Sequence, residues 1–188
     1  MSILKFFNFN RYEFYPPVPE FLDLRNRLPR FGLNKLTVLN VGVGSGNSGL
    51  ARQLPFIKFK RLDCIDVHQP YLDSALCRTY AAKQANFINA DVRNFDFSIY
   101  DIILIFDVLE HLPKEDSLKV MEKIKCAQVI FLPLEKEFRE NTFGAESQDH
   151  KSLWTEEDFK SRGYRTEVLP NFHPGPNGRF PALWALKN

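Results

Sequence analysis

The chain has 188 residues, of which 44% are apolar and 26% charged, with a formal net charge of +2. That length buries the core of one ordinary domain and is short for two. It excludes a membrane span, since no apolar run reaches about 18 residues, and the charge falls short of a basic nucleic-acid footprint.

Residues 1–34 are rich in aromatics and prolines and read as an irregular extension with one short helix near 19–28; a single domain over 35–188 follows. Asn8, Asn10 and Arg11 break the amino terminus, which also lacks a small-residue cleavage site, so no signal peptide is expected. Cys64, Cys77 and Cys126 have no zinc-ligand spacing and read as free thiols of a reducing, cytoplasmic protein.

From Thr37 the pattern becomes regular. Thr37–Val41 is a buried-strand run, followed by glycines and a short helix from Ser48 to Leu54 stopped by Pro55. Arg61–Asp66 is a second strand, Pro70–Lys83 a helix with Pro70 in its first turn, and Asn86–Ala90 a third strand. Tyr100–Phe106 is apolar at nearly every position, as for a strand covered on both faces. A helix over Pro113–Lys125 and a strand over Ala127–Leu132 come next. Thr155–Ser161 reads as a helix capped by Thr155, with acidic residues in its first turn and Gly163 as its stop. Tyr164–Leu169 and Phe180–Leu186 pair as an antiparallel hairpin across the turn residues HPGPNG. The expected fold class is α/β: a doubly wound, mostly parallel seven-stranded sheet with a C-terminal antiparallel hairpin and helices on both faces.

Val38–Gly46 (VLNVGVGSG) runs a strand straight into a glycine-spaced loop. Glycines there permit positive φ and close approach of a ligand to backbone N–H groups. Two registers compete: Gly42, Gly44 and Gly46, or the dinucleotide-type Gly44, Gly46 and Gly49. Asp66, ending the second strand, suits ribose hydroxyls in either register.

Four ordered segments separate the two. VLNVGVGSG, LDCIDVHQPYLDSA, Ala90-Asp91-Val92 and YDIILIFDVLEHLPKEDS together resemble the motifs of class I S-adenosylmethionine-dependent methyltransferases, from about residue 36 to the carboxyl terminus. The resemblance implies S-adenosyl-L-methionine as cofactor and S-adenosyl-L-homocysteine as product. It implies cofactor contacts from Asn40, Gly42, Gly44, Gly46, Asp66 (ribose), Asp91 (adenine) and Asp107. Asn40 stands where the family usually has an acid that helps hold the methionine amino group; an amide accepts a hydrogen bond without the charge.

Methyl transfer needs alignment, exclusion of water and, for some acceptors, a base. Asp107, His111 and His150 are the catalytic candidates. The sequence lacks (N/D)PP(Y/F) after the fourth strand and a Pro-Cys nucleophile, which argues against the methylases of DNA bases. It shows no carboxylate set of the metal-dependent catechol type, so no metal ligand is assigned. A small-molecule acceptor is preferred over nucleic acid. The alternatives are a NAD-type dinucleotide-binding oxidoreductase and a non-catalytic S-adenosylmethionine-binding protein.

Overall fold

Ile102–Phe106 is the apolar axis of the molecule, each residue no more than 4% exposed. With a side-chain period of two, Ile102, Leu104 and Phe106 join Val38, Leu62, Val129 and Trp184 on one face. Ile103 and Ile105 join Leu39, Ile65, Ile130 and Leu183 on the other. The computed structural model describes residues 19–44, 50–74, 85–136, 149–175 and 178–188.

The strands are β1 (Thr37–Val41), β2 (Arg61–Asp66), β3 (Ala85–Asn89), β4 (Ile102–Phe106), β5 (Ala127–Pro133), β6 (Arg165–Gly175) and β7 (Gly178–Lys187). They form one seven-stranded sheet in the order β3-β2-β1-β4-β5-β7-β6. β1 to β5 pair in parallel, and β7 runs antiparallel to both β5 and β6. The chain reverses its direction of travel across the sheet between β1 and β4, and a crevice opens at the carboxyl ends of strands at such a switch point.

The expected mostly parallel sheet with a closing hairpin is therefore present, and helical elements cover both faces. Leu24, Leu54 and Leu72 join one core cluster; Val120, Met121 and Phe159 join the other. The helices are α1 (Gln69–Asp73), α2 (Lys114–Lys123) and α3 (Glu156–Lys160). Pro70 sits in the first turn of α1 as expected, but α1 ends at Asp73 because Ser74 is extended (ψ 135°); residues 75–83 of the expected helix lie outside the described residues. Thr155 caps α3 in a full capping box with Asp158, and Gly163 (φ 80°) follows.

Two expected helices are 3₁₀ turns instead. Residues 19–28 form Glu20–Leu22 and Leu24–Arg27, split at Asp23, whose carboxylate accepts from the Arg25 N–H. Past the glycine loop, Ala51–Phe56 is 3₁₀ and contains Pro55 rather than ending before it. In a three-residue repeat the missing proline N–H forfeits one bond, and Ile57 N–H to Leu54 O closes the turn beyond it. The hairpin is longer than expected: pairing continues to Gly175 opposite Gly178, so most of HPGPNG belongs to the ladder.

Gln53, fully buried, ties residues 22–24 to the domain: Leu24 N–H donates to its Oε1 (2.8 Å), and its Nε2 donates to Leu22 O (3.0 Å). Among the described residues no helix is long and apolar enough to cross a membrane.

Candidate active site

The glycine loop begins where β1 ends. Gly42 has φ 76°, and a Cβ there would lie 2.1 Å from Val108 Cγ2, so only glycine fits between β1 and the loop after β4. Its N–H donates to Ile65 O (2.9 Å). Gly44 (φ 55°) donates its N–H to Asp66 Oδ2 at 2.9 Å. The other Asp66 oxygen accepts from His68 N–H at 2.8 Å. Asp66 thus clamps the glycine loop to the end of β2, with further lone pairs on each oxygen. Asn40, 1% exposed in β1, holds a buried Oδ1 with no hydrogen-bond partner among the described residues. Gly46, and Gly49 of the competing register, lie outside those residues.

Asp91 follows β3 and caps the 3₁₀ turn Val92–Asn94 by accepting from Arg93 N–H. Its two carboxylate oxygens also accept from Arg93 Nε, at 3.0 Å each. That arginine holds the carboxyl below its usual range and reaches Asp116 at 3.6 Å.

A second group sits beyond β4. Asp107 occupies a left-handed conformation (φ 52°), a strained setting for a non-glycine residue. Its Oδ1 is buried and unpartnered among the described residues. Burial pushes this carboxyl up to about 7; nearby Glu135 adds to the rise and nearby His150 opposes it. Glu110, 2% exposed, lies on the 3₁₀ turn Leu109–His111 with Oε2 buried and likewise unpartnered. Burial, then the charge of Asp107, raises its carboxyl well above the ordinary range.

The histidines come from different segments. His111 ends the same 3₁₀ turn, and its Nδ1 lies 3.2 Å from Asp149 O. His150 Nδ1 pairs with Glu135 Oε2. The two rings meet edge to face, 4.8 Å between centroids. Backbone and hydroxyl bonds hold this arrangement: Lys151 and Ser152 N–H donate to Glu110 O (2.6 and 3.0 Å), while Ser152 and Ser117 hydroxyls donate to Leu109 O (3.0 and 2.8 Å). The ligand atoms of Glu110, His111 and His150 lie within 4.8 Å of one another.

The fold therefore gathers Asp107, His111 and His150, and places Asn40, Gly42, Gly44 and Asp66 at the carboxyl ends of β1 and β2. Asp91, just past β3, is engaged by Arg93. Sequence reasoning assigned no site role to Glu110, although it lies in the quoted motif, nor to Glu135, whose pairing with His150 leaves no local signal. Val108, the steric partner of Gly42, was equally silent.

Residues 38–127, from β1 to the start of β5, match the model of a family described as "Methyltransferase domain". No curated protein matches the chain. Several solved structures share its fold. The N-methyltransferase NodS from Bradyrhizobium japonicum WM9, in complex with S-adenosyl-L-homocysteine, is 15% identical with a TM-score of 0.58, over 87% of this chain and 81% of that one. The methyltransferase domain of bacterial CtHen1 is 18% identical with a TM-score of 0.53, over 80% and 88%. The small RNA methyltransferase HEN1 is 17% identical with a TM-score of 0.57, over 88% of this chain but 24% of that one. The glycine loop, the acid ending β2 and the Asp107–His111 turn all lie inside the segment that matches a methyltransferase domain, and the fold is shared with the methyltransferases above.

Proposed function

We propose that this chain binds S-adenosylmethionine across the carboxyl ends of β1, β2 and β4 and methylates a small molecule held beside Asp107, His111 and His150. The observation that carries the cofactor assignment is Asn40 Oδ1, a buried acceptor without a partner among the described residues, at the switch point of the sheet. A buried polar atom left unsatisfied costs about 1–3 kcal/mol, and the ammonium of a methionine moiety brings the missing donor. Gly42 leaves the space a side chain would fill, and the spare lone pairs of Asp66 suit ribose hydroxyls. These residues fit the cofactor. Asp91, already paired with Arg93, retains lone pairs for an adenine amine.

When bound, S-adenosylmethionine supplies an activated sulfonium methyl. The chain's own work is to align the acceptor and exclude water. A carbonyl only accepts, so His111 Nδ1 donates to Asp149 O, and His150 Nδ1 faces the Glu135 carboxylate in the same way. We assign Nε2, the other nitrogen of each ring, to face the acceptor. A formal net charge of only +2 falls short of a basic nucleic-acid footprint, which supports a small-molecule acceptor over nucleic acid.

The dinucleotide-oxidoreductase reading is not favoured. A second mononucleotide half continues the sheet in parallel past the first, whereas antiparallel β7 follows β5 here.

The test is thermal denaturation with S-adenosylmethionine, S-adenosylhomocysteine and NAD. A ligand at one hundred times its dissociation constant adds about 2.7 kcal/mol, or roughly 5–11 °C at this size. Stabilisation by the first two and not by NAD is expected; the reverse overturns the assignment. Methyl transfer from radiolabelled cofactor to small amines and hydroxyls, against RNA, then tests the acceptor class. Binding with no transfer to any acceptor would favour a non-catalytic protein.

A further inference from the structure

We infer that Glu110, His111 and His150 form a binding site for a divalent transition-metal ion beside the methyl-acceptor region. Their ligand atoms lie within 4.8 Å of one another, close enough for one cation at bond lengths of about 2.0–2.2 Å to bridge them. Two features beyond proximity point to a ligand. Glu110 is 2% exposed, and its Oε2 has no hydrogen-bond partner among the described residues. The two imidazoles are oriented as metal ligands are: His150 Nδ1 is held by the Glu135 carboxylate and His111 Nδ1 by the Asp149 carbonyl. An acceptor on one ring nitrogen fixes the proton there and presents the other nitrogen's lone pair, the usual outer support of a metal-bound histidine.

The donor set selects the ion. Two imidazoles and one carboxylate suit Zn²⁺, Co²⁺, Fe²⁺ or Mn²⁺, whereas Mg²⁺ and Ca²⁺ prefer oxygen ligands throughout. Three protein ligands leave coordination positions open. On the methyl-transfer reading, an acceptor oxygen would occupy one of them and lose its proton more readily. Glu135 is then a positioning residue that acts through His150.

The site goes beyond the sequence reading, which assigned no metal ligand. It is not obvious in the sequence because Glu110 and His111 are adjacent while His150 arrives from another segment. The Lys151 and Ser152 N–H bonds to Glu110 O bring that segment alongside.

The experiment is isothermal titration of tag-free, chelator-stripped protein with Co²⁺ and Zn²⁺, alongside Mg²⁺. The visible spectrum of the Co²⁺ form reports coordination directly. Saturable binding of one ion per chain is expected for Co²⁺ and Zn²⁺, with Mg²⁺ far weaker. His150→Ala and Glu110→Gln should each weaken Co²⁺ more than tenfold, and Glu135→Gln by about 10–100-fold. Asp96→Asn, on a separate exposed loop, should leave it unchanged. Circular-dichroism melts establish that each variant is folded; Glu110→Gln keeps the size and shape of the buried side chain and should fold. No saturable Co²⁺ binding, or equal binding in wild type, His150→Ala and Glu110→Gln, overturns the inference. Cofactor affinity of the stripped protein is measured separately. Failure there would sink the methyltransferase reading and leave the metal result standing.

Discussion

Gly42→Ala is the sharpest test of how tightly β1 approaches the loop after β4. Two costs add. At φ 76° an L-residue pays about 1–2 kcal/mol for the left-handed backbone. The new methyl would also stand 2.1 Å from Val108 Cγ2, against an ordinary carbon–carbon contact of about 3.5–4.0 Å. Overpacking of this kind costs about 1–3 kcal/mol. The sum, about 2–5 kcal/mol, lowers the melting temperature by roughly 4–20 °C at this chain length. The consequence reaches the site as well, because Val108 caps the 3₁₀ turn that carries Glu110 and His111.

The clash can be separated from the backbone cost. With Val108 cut to alanine, the nearest remaining atom is Val108 Cβ at 3.6 Å, an ordinary contact. In a double-mutant cycle followed by chemical denaturation, Gly42→Ala should therefore cost only the backbone term in the Val108→Ala background. The coupling is about 1–3 kcal/mol. Additivity within about 0.5 kcal/mol would refute the steric argument and mean that β1 and this loop are less closely apposed.

Four further outcomes are expected. Asp63 is fully buried in β2; burial alone would raise its carboxyl, but hydrogen bonds from Arg61, Tyr100 and Asn86 outweigh it and hold the group below its usual range. Its stabilisation is therefore present above the unfolded-state value of about 3.9 and lost as pH falls through the lower folded value; Asp63→Asn should cost about 1.5–3 kcal/mol at neutral pH, the gap closing in acid denaturation profiles. Asp66→Ala should weaken S-adenosylmethionine about ten- to a hundredfold in calorimetry, and Asp66→Asn, which can keep one backbone acceptor, should lose less. Asn40→Asp should tighten that cofactor by about 1 kcal/mol, near fivefold; an equal gain for an analogue lacking the amino group would mean that Asn40 does not face the methionine amine. Thr155→Ala opens the capping box of α3 and should cost about 1 kcal/mol, read as a melting temperature lower by roughly 2–4 °C.

Legibility in the sequence tracks the range of the interactions. β2 is found at its expected residues, and the expected β4 run holds the observed strand, because apolar periodicity and local turn signals define both. Thr155 and Gly163 mark α3 by the same local logic. The 3₁₀ turns escaped because Asp23 and Pro55 alter single hydrogen bonds that composition does not reveal. In the site, the glycine loop and Asp66 were readable, yet the clamp from Asp66 to Gly44 N–H is a property of the folded loop. The pairing of His150 with Glu135 joins residues fifteen apart in the chain, a separation at which no local pattern reveals it.

The unsatisfied groups themselves carry the functional argument. This chain is able to satisfy buried polar side chains: Gln53 bonds residues 22 and 24, Asp63 accepts from three neighbours, and Gln128 accepts from Tyr164 while donating to Met121 O and Ile124 O. Against that background, Asn40 Oδ1, Asp107 Oδ1 and Glu110 Oε2 lack partners among the described residues. All three belong to β1 or the segment just past β4, the two strands that flank the switch point. Each costs about 1–3 kcal/mol unless something supplies a donor or a charge, and the three share a need for positive partners. An ammonium from the methyl donor answers the first. A cation on the histidine–glutamate group answers the last and, by reducing the acidic field, eases the burial of Asp107.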